Sequence, residues 1–284
     1  MKHLVAILAH NHPELLPALV AKCYHAGATH IAIFNGSQNP NLFDSALSTI
    51  RRETPKAFEA LSPEVWRGDI EWGNMLPFNR AALAEAERLE ADYLSFWDSD
   101  LLPVRSDCFL ELRKAVDAAR MKYKAPDGYV CARHKTHHNQ AVWPGTKFPS
   151  RNFLSLHAKG RNPWSELLEN YGWNGQWVSH AFHPATTFGK FTISHLNLAL
   201  KNASPEAMAF NKPVITPEET VLPTLANLAG VPVESPAFLR GVKWRPYWEA
   251  GEVRGGVPCD MVAIHPVARH KNFPLWGDNG VRNP

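Results

Sequence analysis

Residues Leu4-Val5-Ala6-Ile7-Leu8 form an apolar run with no polar alternate. A strand with one wet face alternates, so an unbroken run belongs to a strand covered on both faces, as in parallel sheets wrapped by helices. The next thirty residues fit such a sheet. His10-Asn11-His12-Pro13 turns the chain, Glu14 to His25 carries Leu15, Leu16, Leu19, Val20 and Cys23 along one stripe, and Gly27 sits where a helix stops. His30-Ile31-Ala32-Ile33-Phe34 reads as a second strand and Asn35-Gly36-Ser37 as the turn beyond it. Strand, helix and strand in this order predict a parallel β-α-β unit with a right-handed crossover.

The same alternation continues. After a polar stretch rich in Arg and Glu, Asp69 to Gly73 reads as a short strand and turn, and Phe78 to Glu90 as a helix. Ala91 to Trp97 is an aromatic strand that runs straight into Asp98-Ser99-Asp100. Residues 107 to 121 form an amphipathic helix and Gly128 to Ala132 a strand. From Arg133 to Trp177 the pattern thins into Pro, Trp, His and Asn, broken only by Trp164 to Tyr171, which predicts long loops over the carboxyl edge of the sheet. Regularity returns at Thr187 to Ile193, with a helix from about His195 to Lys201. Pro217-Glu218-Glu219 opens a helix that reaches Leu228 and stops near Gly230, and Met261 to Ile264 is a late strand. No interdomain linker, repeat or low-complexity tract interrupts residues 1 to 284, so a single domain is expected.

Composition excludes several classes. With 45% hydrophobic and 20% charged residues a packed core is expected and wholesale disorder is not. Thirty Lys+Arg against 27 Asp+Glu leave a net charge of +3, too slight and dispersed for a nucleic-acid binder. No apolar run approaches the roughly 20 residues that span a bilayer, and the opening nine residues are too short for a secretion signal with its cleavage site. Cys23, Cys108, Cys131 and Cys259 form no paired motif, which argues against a zinc ribbon or disulfide scaffold and for a reducing, cytoplasmic setting. Work at the inner face of a membrane, by peripheral association, is compatible with this.

Acid at a strand end is informative, because ligands of open α/β sheets collect beyond the carboxyl ends of the strands. In a turn there, Asp98 and Asp100 can project together. Asp100 can bind a hard divalent cation that holds the two phosphates of a nucleotide, while Asp98 reaches a ribose or a metal-bound water. Solvated turn residues are the plain alternative. Glu218 and Glu219 open a helix, where acids also serve the helix dipole. His134, His137 and His138 crowd one segment, and His265 and His270 another; such loops can build a transition-metal site or simply hydrogen-bond.

Taken in order, Val5 to His10 with Glu14-Leu15-Leu16, Trp72-Gly73, Asp92 to Pro103, Pro217 to Leu225 and Leu239 to Trp244 resemble GT-A glycosyltransferases. Within them the chain is most similar to the branching N-acetylglucosaminyltransferase and peptide-xylosyltransferase group, over most of its length but not in the middle loops. The resemblance implies a GT-A, Rossmann-like fold with a mixed, mainly parallel sheet flanked by helices and an irregular, loop-rich lobe. Residues 1–132 would be the nucleotide-binding half, and 133–284 the acceptor-binding and catalytic-base half.

It further implies inverting transfer from a nucleotide sugar, a UDP-sugar, to a hydroxyl of a glycan or glycolipid. Glu219 falls on the base position, and Glu218 could instead bind acceptor hydroxyls. Asp98, Ser99 and Asp100 would meet the donor, with His265 completing a site for Mn²⁺ or Mg²⁺. The branching enzymes usually lack a full Asp-X-Asp and neutralise the diphosphate with basic side chains, so Arg240, Lys243 and Arg245 offer a metal-independent device. His10 and Asn35 fall at the nucleoside pocket, although Asn35 also suits a bare turn. Trp97, Trp143, Trp173 and Trp177 could stack on sugars, with Trp97 suited better to the core.

Two rivals remain open. A Mg²⁺-dependent nucleotidyltransferase generally cradles phosphate in a Gly-rich basic loop after the first strand, where this chain has Ala9-His10-Asn11-His12-Pro13. A noncatalytic carbohydrate-binding protein would use its tryptophans as platforms and its acids for Ca²⁺.

Overall fold

The computed structural model describes residues 1–9, 12–37, 39, 41–62, 66–67, 75–138, 149–210, 216–244, 247–254 and 256–267. The expected strand at Asp69 to Gly73, and His10, Trp143, Arg245 and His270, lie outside the described residues.

The strands are β1 (His3–Ala9), β2 (His30–Asn35), β3 (Trp66–Arg67), β4 (Tyr93–Asp98), β5 (Leu102–Pro103), β6 (Tyr129–Val130), β7 (His134–His138), β8 (Trp177–Ala181), β9 (Thr187–Gly189), β10 (Val233–Glu234) and β11 (Ala263–Ile264). The helices are α1 (Leu16–His25), α2 (Asp44–Glu53), α3 (Pro55–Glu59), α4 (Leu76–Arg88), α5 (Cys108–Tyr123), α6 (Pro149–Ala158), α7 (Ser165–Asn170), α8 (Lys190–Lys201), α9 (Pro205–Met208), α10 (Pro217–Leu228) and α11 (Ala250–Arg254).

Among the described residues seven strands form one sheet in the order β10-β6-β9-β4-β1-β2-β3. It is mainly parallel: β4-β1-β2-β3 and β10-β6 pair in parallel, and β9 lies antiparallel between β4 and β6. Every residue of β1 is buried, as its unbroken apolar run requires. Val5, Ile7 and Ala9 enter a core layer with Leu19 and Val20 of α1 and Phe109 and Leu112 of α5. Leu4, Ala6 and Leu8 enter the opposite layer with Leu83 of α4, Leu196 of α8 and Leu222 and Leu225 of α10. The fold is thus a Rossmann-like α/β sandwich with helices on both faces.

From β1 the chain moves through α1 to β2 and then β3, and later lays β4 on the other side of β1. The carboxyl ends of β1 and β4 therefore flank a topological switch point, where such sheets open a crevice. Leu8 pairs with Asp98 there. Trp97, with no exposed surface, belongs to the core: its indole N–H donates to the Leu101 carbonyl at 2.7 Å.

Several elements differ from the sequence reading. The polar stretch after β2 contains α2 and α3, and α2 buries only Ala46 and Ile50, too narrow a stripe to stand out among its charges. Within the segment expected as loops, residues 134–138 form β7, which pairs antiparallel with β8 at and beyond its end, and residues 149–158 form a helix. β7 is His-Lys-Thr-His-His, a strand with no apolar residue, so hydrophobic periodicity could not reveal it. α8 starts at Lys190, five residues before the expected His195, because the buried Asp127 carboxylate accepts the Thr192 N–H at 2.9 Å and caps the first turn from outside the helix.

Asp127 also accepts the Gly128 N–H at 2.8 Å, and a Cβ on Gly128 would land on the Val116 carbonyl of α5. That backbone atom cannot step aside as a side chain could. Gly128→Ala is expected to lower stability by about 2–3 kcal/mol, read as a lower denaturant midpoint at unchanged slope.

Candidate metal and base site

Asp98 is the last residue of β4, and Ser99 and Asp100 form the turn that leads into β5. β5 pairs antiparallel with β11, Ile264 opposite Leu102, so the residue after β11, His265, falls beside that turn. The Val267 N–H donates to the Asp100 carbonyl at 3.0 Å and fastens the two segments. On its other side His265 bridges to Val242, with the His265 N–H donating to the Gly241 carbonyl at 3.1 Å. Gly241 makes this approach close: a Cβ there would stand 2.7 Å from the Ala263 carbonyl oxygen.

These ladders place one ligand atom each from Asp98, Asp100 and His265 within 4.8 Å of one another, the only such grouping among the described residues. His265 Nε2 lies 3.3 Å from Asp100 Oδ1 and 3.8 Å from Asp98 Oδ2. Its Nδ1 is 2.9 Å from the Lys243 carbonyl, which can only accept, so Nδ1 carries a proton and Nε2 faces the carboxylates. Two carboxylate oxygens and an imidazole nitrogen held from behind suit Mn²⁺ well and Mg²⁺ acceptably. Burial works against a charged imidazole here, but the hydrogen bond and charge of Asp100, with Asp98 behind it, outweigh burial and raise the pKa of His265.

Glu218 and Glu219 begin α10, and both are buried. Burial is the main force on each, pushing Glu219 up to about 7 and Glu218 up to about 8. The charge of Asp98 adds to both shifts, and His265 opposes that of Glu219, so the acids at the strand end and at the helix start feel one field. Glu219 Oε1 accepts the backbone N–H of His183 at 3.3 Å, and Oε2 lies 3.8 Å from His180 Nε2. The Glu218 carboxyl is favoured by the Met75 N–H at the start of α4, while its Oε2 is buried with no hydrogen-bond partner among the described residues. Ser99 Oγ is likewise buried and unpartnered.

The remaining sequence candidates are placed elsewhere. Asn35 is buried and closes its own turn: Oδ1 accepts the Ser37 N–H at 2.9 Å and Nδ2 donates to the Asn39 carbonyl at 2.9 Å. Arg240 forms an exposed ion pair with Asp260. The Lys243 ammonium lies 4.6 Å over the Trp248 ring, although the Lys243 carbonyl orients His265. His134 sits on β7 with Nε2 2.7 Å from Ser179 Oγ, His137 faces His180 across the ladder at 6.4 Å between rings, and His138 pairs with Trp177 at the far end. Trp173 is buried and its indole N–H donates to the Trp177 carbonyl.

Sequence reasoning did not single out His180 and His183, which contact Glu219, or Asn79, which contacts His183. The spacing of His180-Ala181-Phe182-His183 was the available signal. β8 carries His180 to the site because it packs on α10, where the Ser179 N–H donates to Thr224 Oγ1 at 3.0 Å.

No protein-family model matches the chain, and no curated protein does. Among solved structures, a 4-diphosphocytidyl-2C-methyl-D-erythritol synthase is 12% identical, covers 74% of this chain and 84% of its own, and has a TM-score of 0.37. Two structures of S. aureus TarS are 14% and 13% identical, each covering 76% of this chain, with TM-scores of 0.38 and 0.37. The chain spans 33% and 55% of those two TarS chains. Likeness at this level carries no argument about activity, which rests on the site itself.

Mn²⁺ titrated into the protein should bind at a single site. Asp100→Asn should weaken that binding by at least about tenfold, since even groups that only support a ligand are worth about 10–100-fold. Calorimetry showing equal affinity in the two proteins would remove Asp100 from the metal site.

Proposed function

We propose that the chain is an enzyme, an inverting glycosyltransferase that moves a sugar from a UDP-sugar to a hydroxyl of a glycan or glycolipid acceptor. The observation that carries this reading is that the Asp98, Asp100 and His265 cluster at the end of β4 lies near enough to Glu219 for the charges of Asp98 and His265 to act on its carboxyl. A transfer of this kind needs both parts: countercharge for a departing diphosphate, and a base for the entering hydroxyl.

In the proposed reaction Glu219 takes the proton of the acceptor hydroxyl. The hydroxyl oxygen forms a bond to the anomeric carbon as the bond from that carbon to the phosphate oxygen breaks, and UDP leaves from the opposite face. Asp98, Asp100 and His265 would hold Mn²⁺ or Mg²⁺, whose charge offsets the charge that develops on the diphosphate. The engagement of Arg240 with Asp260, and of Lys243 with Trp248, favours such a cation over the basic-residue device.

A carboxyl whose pKa stands near neutrality is matched to proton transfer at that pH. Among the described residues no helix is long and apolar enough to cross a membrane, so a glycolipid acceptor would be met from the membrane surface.

UDP release from UDP-sugars should depend on Mn²⁺. Because the base acts ionised, turnover should rise with pH along a limb displaced above the ordinary glutamate range, as the direction of the Glu219 shift requires. Glu219→Gln should lower transfer by about 10²–10⁴-fold with UDP affinity retained. Normal turnover in Glu219→Gln, or UDP binding indifferent to Mn²⁺, would contradict the reading.

A further inference from the structure

Asn79 of α4 has no exposed surface, and its Nδ2 lies 2.6 Å from Nε2 of His183, itself buried in the segment between β8 and β9. An amide nitrogen can only donate, so Nε2 accepts and the His183 ring carries its proton on Nδ1. The imidazole stacks on Phe96 of β4 at 4.8 Å, with 21° between the planes. The main chain of the same residue ends this chain of contacts, its N–H donating to Glu219 Oε1.

This arrangement is poor as packing. Asn79 Oδ1 and His183 Nδ1 are both buried with no hydrogen-bond partner among the described residues. A core layer otherwise built from Phe34, Phe78, Phe96 and Phe188 would be better filled by two apolar side chains. A polar pair that weakens its surroundings and ends on the proposed base has a use other than stability.

We propose that Asn79 and His183 are positioning residues, which lock the main-chain N–H of His183 onto Glu219 and so fix the orientation of the carboxyl that receives the acceptor proton. The role in transfer rests on the reading of Glu219 as the base; the geometric claim does not. The other groups facing Glu219 are Asp98 at the end of β4, His265 after β11, His180 on β8, Tyr129 of β6 and Cys131 just after it, and Glu218 and Thr216 at the start of α10. All of them remain in the variants that test the pair.

The test is an infrared pH titration of the Glu219 carboxyl, its band identified by its loss in Glu219→Gln. It is read in the wild type and in the double variant Asn79→Leu with His183→Phe. Replacing both polar partners by apolar ones of similar size keeps the fold. The expected result is a titration midpoint raised by about one pH unit, a tenfold change in proton affinity, at a near-native melting temperature. With Mn²⁺ and the UDP-sugar from which the wild type releases UDP fastest, kcat should fall at least about tenfold and KM change less than about twofold, the pattern of a lost transition-state interaction. His183→Gln, which restores an acceptor for Asn79, should recover part of both effects, and it supplies the comparison if the double variant does not fold. An unchanged carboxyl midpoint in a folded variant overturns the proposal. Should Glu219→Gln retain full turnover, the base reading fails, and the infrared comparison still decides whether the pair holds the carboxyl.

Discussion

Four carboxyl groups, Asp98, Asp100, Glu218 and Glu219, gather at the end of β4 and the start of α10 with little exposure, and the repulsion and lost hydration of those acids is the cost that the surrounding structure offsets. The compensation differs by position. At the strand end, His265 Nε2 faces both Asp98 and Asp100, the three groups that would share a divalent cation. At the helix start burial dominates and His265 offsets it only in part for Glu219, so the glutamates hold their protons to higher pH. One acidic cluster is thereby divided into a part that faces the His265 imidazole and a part whose carboxyls are shifted toward neutrality.

That division depends on rigid placement. Asp98 is fixed by the pairing of β4 with β1, and His265 by the short β5–β11 ladder together with its bridge to Val242. Glu219 is fixed by α10, against which β8 is tied through Ser179, Thr224 and Asn227. The helix contains Pro223, which has no N–H to offer the carbonyl four residues earlier, that of Glu219 itself, so the turn bearing the proposed base is bounded by an interrupted hydrogen-bond ladder. Groups so held lose little orientational freedom when a ligand arrives, which is where positioned catalysis gains.

Much of this was legible in the residues. The run Leu4–Leu8, the stripe of α1 and the aromatic strand before Asp98 are periodic and strongly apolar, and they define the parallel core of the sheet. The two acids at the end of β4 and the Pro-Glu-Glu opening of α10 could be located because strand ends and helix starts have local signatures. His265 could be named but not placed: its link to Asp100 spans 165 residues and is made by backbone ladders of two residues each, which leave no pattern in sequence. His180 and His183 were hidden differently, since β8 reaches the site by pairing with a strand of histidine, lysine and threonine. Arg240 could be read as a phosphate partner only while its neighbour Asp260, 20 positions away, was out of view.

The central claim is that Asp98, Asp100 and His265 bind one divalent cation within the crevice that also contains Glu219. A crystal grown with Mn²⁺ and UDP, measured at the manganese absorption edge, tests it most directly. The account predicts one anomalous peak bonded to side-chain atoms of all three residues, with the diphosphate oxygens on its open side and the Glu219 carboxyl facing the same cavity. Manganese held elsewhere, or a diphosphate seated against Arg240 and Lys243 with the Asp98–Asp100 turn unoccupied, would contradict it.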